Sequence, residues 1–251
     1  GRELFRDDQP LKLLVMSATL EGARLSNLLG DAPVVTSEGR MFPVSTVWGQ
    51  PYQAGEYIEF KVVRACLDAV QDQQGSILVF LPGQAEIRRV QQELSDKLVG
   101  RDDLLLSALH GELDLSAQRA AIEPAPLGKR KIVLATNIAE TSLTIEGVRV
   151  VIDSGLERVP QFDPSSGMTR LATQRISQAS AAQRAGRAGR LEPGICYRLW
   201  SQTQHEQMAA YGAPEIHQAD LAALALQLAR WGVTPDQLRW LDMPPAAPFT
   251  Q

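Results

Sequence analysis

The chain has 251 residues, of which 44% are hydrophobic and 22% charged, and a net charge of −4 at neutral pH. That length allows one large domain, or one medium domain with parts of its neighbours, and the acidic balance excludes a protein that holds nucleic acid by overall charge. No apolar run reaches the length of a membrane span, and the two cysteines, Cys66 and Cys196, have no metal-ligand spacing, so a cytoplasmic chain with reduced thiols and no signal peptide is expected.

Leu11 to Met16 is an apolar run that reads as a buried strand ending at Ser17-Ala18-Thr19. Ala23 to Leu29 predicts a short helix stopped by Gly30. Residues 31–57 carry Pro33, Pro43 and Pro51 with short extended pieces at Val34-Val35 and Ser45-Thr46-Val47, and mark the best boundary between two domains. From Tyr57 the order becomes regular. A helix over 58–72 is followed by a strand from Ser76 to Leu81, stopped by Pro82-Gly83, and by a helix over 84–99. Then come a strand from Leu104 to Leu109, a helix from Ser116 to Ile122, and strands Lys131 to Thr136 and Val148 to Asp153. Such alternation predicts an α/β fold, a mainly parallel sheet with helices on both faces. Ligands of these sheets bind beyond the carboxyl ends of the strands, which singles out Ser17, Thr19, Gly83, Thr136, Asn137 and Asp153.

Residues 156–176 break the alternation and read as a β-hairpin around Pro164-Ser165-Ser166-Gly167. A further strand is expected from Ile195 to Trp200. An amphipathic helix from Asp220 to Trp231 follows, with Leu221, Leu224, Leu228 and Trp231 on one face and Gly232 at its end. Met243-Pro244-Pro245-Ala246-Ala247-Pro248 reads as a linker, and His110 and His205 as surface or cap residues.

The densest signal is Gln183-Arg184-Ala185-Gly186-Arg187-Ala188-Gly189-Arg190. Arg187 and Arg190 are three apart, so at a helix start they share a side, and the flanking glycines leave room for a ligand or another domain. Two planar cations converging on one point suit a polyphosphate; the alternative is a solvated basic face. Between Arg149 and Arg198 lie eight arginines, four acids and no lysine, which favours bidentate phosphate contacts over loose attraction.

In this order, Ser17-Ala18-Thr19-Leu20, Leu78-Val79-Phe80-Leu81-Pro82-Gly83, Thr136-Asn137-Ile138-Ala139-Glu140-Thr141-Ser142-Leu143-Thr144-Ile145 and the arginine cluster resemble a DEAH-type superfamily 2 ATP-dependent RNA helicase. Arg190 to Cys196 and Leu238 to Asp242 resemble the bacterial HrpB branch. The resemblance implies two RecA-like domains that clamp ATP and Mg2+ and grip single-stranded nucleic acid. The first would supply the phosphate loop, the acidic motif and most of the hold on Mg2+. No G-x-x-x-x-G-K-[ST] occurs in the chain, and Glu215-Ile216-His217 does not replace a DExH box. The implied layout is the end of the first RecA-like domain (1–42), the second RecA-like domain (43–200) with the hairpin 156–176, and the start of a helical winged-helix region (201–251).

By the same resemblance Arg187 and Arg190 are arginine fingers and Gln183 orients the attacking water. Thr136, Asn137 and Gly83 contact the strand backbone, and Ser17 and Thr19 couple the two domains. Thr144 and Glu146 lie toward the nucleotide, and Phe60 or Tyr57 stacks its base. The hairpin separates strands, with Phe162 a possible stacking surface. Structural alternatives stand beside these roles: a strand-end cap at Thr19, a turn at Gly83, a capped helix start at Thr136, a core aromatic at Phe60. The implied partners are single-stranded nucleic acid, RNA before DNA, and the first RecA-like domain, with no membrane. RNA and DNA stay open because no motif reads the 2′-hydroxyl. So do a translocase that remodels nucleoprotein without unwinding, and a binding module without hydrolysis. The chain alone is expected to turn over no ATP.

Overall fold

A computed structural model describes residues 12–16, 22–36, 42–53, 55–141, 143 and 145–249. They form two compact units, residues 39–222 and, separately, 1–38 with 223–251. The larger unit is built on six parallel strands: β1 (Val44–Trp48), β2 (Ser76–Phe80), β3 (Leu104–Leu109), β4 (Arg130–Ala135), β5 (Val148–Asp153) and β8 (Gly194–Arg198). Their order across the sheet is β1-β8-β5-β2-β4-β3. β2 and β5 are flanked on both sides, and their middles, Ile77-Leu78-Val79 and Val150-Val151-Ile152, are unbroken Val, Ile and Leu runs, because a parallel strand covered on both faces has no side left for polar alternation. Every residue of β2 is buried, whereas edge strand β1 keeps exposed Ser45, Thr46 and Val47.

Helices cover the two faces. On one side α2 (Ile58–Asp72) and α3 (Gln84–Lys97) press Ile58, Val62, Cys66, Ile87 and Leu94 onto Ile77, Val79 and Ile132. On the other α4 (Leu115–Ile122), α5 (Ile138–Thr141) and α6 (Gln178–Ala185) pack Ala121, Ala139 and Ala185 against Leu78, Phe80, Val133 and Val151. The apolar spacing of α2 is helical, and Asp114 caps α4 by accepting the Ala117 N–H at 2.8 Å. Between β5 and β8 the chain leaves the sheet as an antiparallel hairpin, β6 (Leu156–Asp163) and β7 (Met168–Arg175). Its turn is closed by Asp163, which accepts from the Ser165 N–H and from the Ser165 and Ser166 hydroxyls. Those hydroxyls pull the Asp163 carboxyl down to about 2. A short helix, α7 (Gln202–Glu206), follows β8 with a complete capping box on Ser201 and Gln204.

The second unit contains α1 (Gly22–Leu28) and most of α8 (Ala222–Trp231). Residues 12–16, expected as part of a strand, pair with no described strand, and Leu14 and Met16 are exposed. An apolar run becomes a strand only beside a neighbour that offers a ladder, and no described residue does so. Val34 and Val35 are likewise exposed. Leu221, expected in this helix, precedes α8 and is buried; within α8 Leu228 is buried, whereas Trp231, expected on the same apolar face, is 72% exposed. Among the described residues no helix is long and apolar enough to cross a membrane.

Candidate functional site

All six parallel strands end on one edge of the sheet, and the polar segments expected to carry chemistry lie along it. β2 runs into Leu81-Pro82-Gly83, β4 into Thr136 and Asn137, and β5 into Ser154 and the hairpin. Thr136 is half-buried and Asn137 exposed. The Thr136 carbonyl accepts the Ala139 N–H and the Asn137 carbonyl accepts the Glu140 N–H, which starts the short α5.

α6 is capped by the Ser177 hydroxyl, which accepts the Ser180 N–H at 3.1 Å. Arg184, in its last turn, is 1% exposed and ties three segments together. Its Nε donates to Glu140 Oε2 at 3.0 Å, and its Nη1 donates to Asp153 Oδ1 at 3.0 Å and to the Leu156 carbonyl at 3.1 Å. Its guanidinium lies 4.9 Å from the Phe80 ring centroid. Burial works against its charge, but Asp153 and Glu140 outweigh burial and leave its pKa raised. A buried cation persists here because two carboxylates and a carbonyl replace water.

Arg187 and Arg190 do not open a helix, as the sequence suggested; they follow one. α6 ends at Ala185, and the Arg187, Ala188 and Gly189 N–H groups donate three residues back, a 3-10 continuation that keeps residues three apart on one side. Gly189 is not there to admit a ligand. A Cβ on it would lie 2.5 Å from the Phe42 carbonyl oxygen, and that segment is bonded to it through the Phe42 N–H. Arg187 is buried at 7% exposure, its Nε donating to the Glu140 carbonyl at 2.9 Å and its Nη1 to the Leu143 carbonyl at 2.5 Å. Its Nη2 also donates to the Glu140 carbonyl. Burial and the Arg190 charge pull its pKa down to about 10, against the pull of Glu140, so it remains cationic at neutral pH. No carboxylate lies within ion-pairing distance of Arg187 among the described residues; its hydrogen bonds all go to main-chain carbonyls, and Glu140 acts on its charge only from farther off. Arg190 is exposed and Gln183 half-buried.

Other expectations are placed differently. Gly83 is covered: a Cβ on it would meet Arg158 Nη1 at 2.3 Å, and Arg158 donates to Glu86 Oε1 at 3.0 Å. Phe60 is 67% and Tyr57 71% exposed, so neither is core, and α2 covers the sheet face opposite α6. Glu146 is exposed in a turn with Gly147. Ser17, Thr19 and Thr144 lie outside the described residues. His110, expected as a surface or cap residue, is buried; His205 is half-buried near Trp48 and Trp200, and its carbonyl accepts the N–H that caps the end of α7. Most of the arginine-rich window is internal: Arg149 pairs with Glu192, Arg170 with Asp163, and Arg198 lies over the Trp48 and Trp200 rings. Sequence reasoning missed the joint roles of Glu140 and Asp153; the acid ending the apolar run Val148 to Asp153 was the available signal. Among the described residues no group of His, Cys, Asp or Glu is arranged to hold a metal ion.

The conserved pattern of the helicase conserved C-terminal domain matches residues 59–192. The chain is 54% identical over 242 residues to the ATP-dependent RNA helicase HrpB of Escherichia coli (strain K12), covering 96% of this chain and 29% of that protein. It is 39% identical over 249 residues to the probable ATP-dependent RNA helicase DHX34 of Mus musculus, covering 94% of this chain and 22% of that protein. Among solved structures, the E. coli DExH-box NTPase HrpB superposes with a TM-score of 0.87 at 53% identity, over 98% of this chain and 30% of that one. The chain therefore spans less than a third of the length of these relatives.

Proposed function

We propose, from the premise that this chain belongs to the helicase conserved C-terminal domain family, that it is the second RecA-like half of an ATP-dependent RNA helicase. The observation that carries the reading is Glu140. Its carbonyl receives Arg187 and its carboxylate receives Arg184, so one residue joins the cationic cluster to the segment that begins at Thr136. In this reading Arg187 and Arg190 face the terminal phosphates of ATP held by a partner RecA-like domain. A buried guanidinium with no carboxylate partner fits an anionic ligand, and carbonyls are contacts it can exchange for phosphate oxygens. ATP supplies the free energy of anhydride cleavage, and in this reading Mg2+ is held mainly by the partner domain.

Thr136 and Asn137, at the carboxyl edge of β4, hold the sugar–phosphate backbone of a single strand without reading its sequence. RNA is favoured over DNA because the relatives named above are RNA helicases. The hairpin, rooted on Arg184 through the Leu156 carbonyl, favours unwinding over translocation without unwinding. A cytoplasmic setting is part of the proposal, and both thiols are buried.

The test is Arg187→Ala in the full-length protein, with steady-state turnover and nucleotide affinity measured side by side. A finger that acts in the transition state gives a fall in kcat of about a thousandfold with little change in affinity. Equal losses in both would make Arg187 a ground-state phosphate ligand instead.

A further inference from the structure

Beside the hairpin root, between β7 and the segment after β8, is an open cavity of about 440 Å3 walled in part by Arg175, Ser177, Gln204, Gln207, Tyr211 and Gln218. Its walls are fixed to one another. The Gln178 and Ala179 N–H groups donate to the Ala209 and Ala210 carbonyls at 2.9 and 3.0 Å, and the Phe162 N–H donates to the Gln218 carbonyl at 2.8 Å. Gln178 Nε2 adds a bond to the Met208 carbonyl at 3.0 Å.

Arg175 is the unexplained member. Its guanidinium makes no ion pair and no hydrogen bond with any described residue, and Nη1 is buried without a partner. Its Cζ lies over the Tyr52 ring, 4.9 Å from the centroid. The acid in the cavity wall, Glu157, sits across the hairpin from Gln174 and accepts its amide at 3.0 Å. Burial pulls the Arg175 pKa down, as it does for a cation with nothing to offset its desolvation. Every other buried or half-buried arginine of the hairpin region has an acid, a carbonyl or a ring nitrogen within reach. A planar cation resting on an aromatic ring in the wall of a polar cavity is an arrangement that can receive a phosphate oxygen pair.

Position decides which phosphate. Along the carboxyl edge, β4 runs into Thr136, its neighbour β2 runs into Leu81-Pro82 and the covered Gly83, the next strand β5 gives rise to the hairpin, and beyond the hairpin β8 runs into the segment that walls the cavity. A strand laid over Thr136 and past the hairpin meets Arg175 next.

We propose that this cavity is a nucleic-acid subsite beyond the hairpin, in which Arg175 holds a backbone phosphate of the strand and the amide-rich wall and Tyr211 receive the attached nucleoside. This rests on the proposed function above, and the test separates the two. Binding of labelled single-stranded RNA of graded length to the full-length protein, without nucleotide, is followed by fluorescence anisotropy. Wild-type affinity rises in a step once the strand is long enough to pass the hairpin. Arg175→Gln removes that step, about tenfold, lowers the slope of log affinity against log salt for long strands by about 0.7, and leaves short strands unchanged. Arg175→Lys restores part of the step. Thr136→Ala weakens strands of every length.

An Arg175→Gln loss equal at all lengths, or wild-type affinity without a step, overturns the subsite. So does Arg175-dependent binding of inorganic phosphate, by titration calorimetry, with no length step for RNA, since the cavity would then serve a free anion. If the wild-type protein binds no strand of any length, the proposed function itself falls.

Discussion

Arg184 and Arg187 lie three residues apart and are both buried, yet their surroundings assign them opposite tasks. Arg184 is saturated by two carboxylates and a carbonyl, and so cannot respond to a ligand without breaking the strut that joins α5, β5 and the hairpin root. Replacing it by methionine keeps the volume but strands Asp153 and Glu140 in the interior, a change that costs about 3–5 kcal/mol. Urea unfolding of Arg184→Met is expected to show that loss as a lower midpoint at unchanged slope, and a loss under about 1 kcal/mol would mean water already reaches the carboxylates. Gly189 makes a second residue-scale case. Alanine there puts a methyl group 2.5 Å from the Phe42 carbonyl oxygen and 2.7 Å from Val44 Cγ2, so Gly189→Ala is expected to destabilise by about 1–3 kcal/mol. Thermal unfolding checks it; an unchanged Tm would show that the start of β1 yields freely.

At the scale of elements, periodicity carried most of what was legible. α2, β3 and β5 have the bounds expected from their apolar spacing, because each buries a continuous or helical stripe whose period survives without knowledge of its neighbours. Residues 12–16 failed for the converse reason: an apolar run specifies burial, and only a paired neighbour makes it a strand. The arginines divide in the same way. Composition found their clustering, but whether Arg149, Arg158 or Arg170 faces a phosphate or an internal acid depends on Glu192, Glu86 and Asp163, which are brought to them only by the fold. Phe60 shows the limit from the other side, since helical spacing gave the helix but not the exposure of that aromatic. The hairpin was legible as an element and yields its own prediction. Replacing 160–171 by a two-residue turn leaves the Arg184 strut and the Arg158–Glu86 pair in place and gives up the bond from the Phe162 N–H to the Gln218 carbonyl. In the full-length protein this variant is expected to keep RNA-stimulated ATP turnover and lose strand separation on a duplex with a single-stranded tail. Retained unwinding at the wild-type rate would remove the hairpin from the mechanism.

For the whole molecule, the sheet sets the relation between cations and strand. Both the Thr136 segment and the arginine cluster hang on the carboxyl half of one rigid parallel sheet, and Glu140 bonds them directly, so a displacement of Arg187 by a ligand pulls on the start of α5. In the proposed reading such a device senses a phosphate that something else presents. The charges fit that reading: the cluster offers positive charge, and the sequence has no phosphate-loop pattern. The chain purified by itself, as the 251 residues given, is therefore expected to show ATP turnover no faster than a buffer blank with Mg2+ and single-stranded RNA present. Turnover is to be read by phosphate release, with Arg187→Ala as the companion sample to expose a contaminating enzyme. Release from the wild-type chain that disappears in Arg187→Ala would mean that the arginines complete a site within this chain, and the division of labour between two RecA-like domains would have to be abandoned.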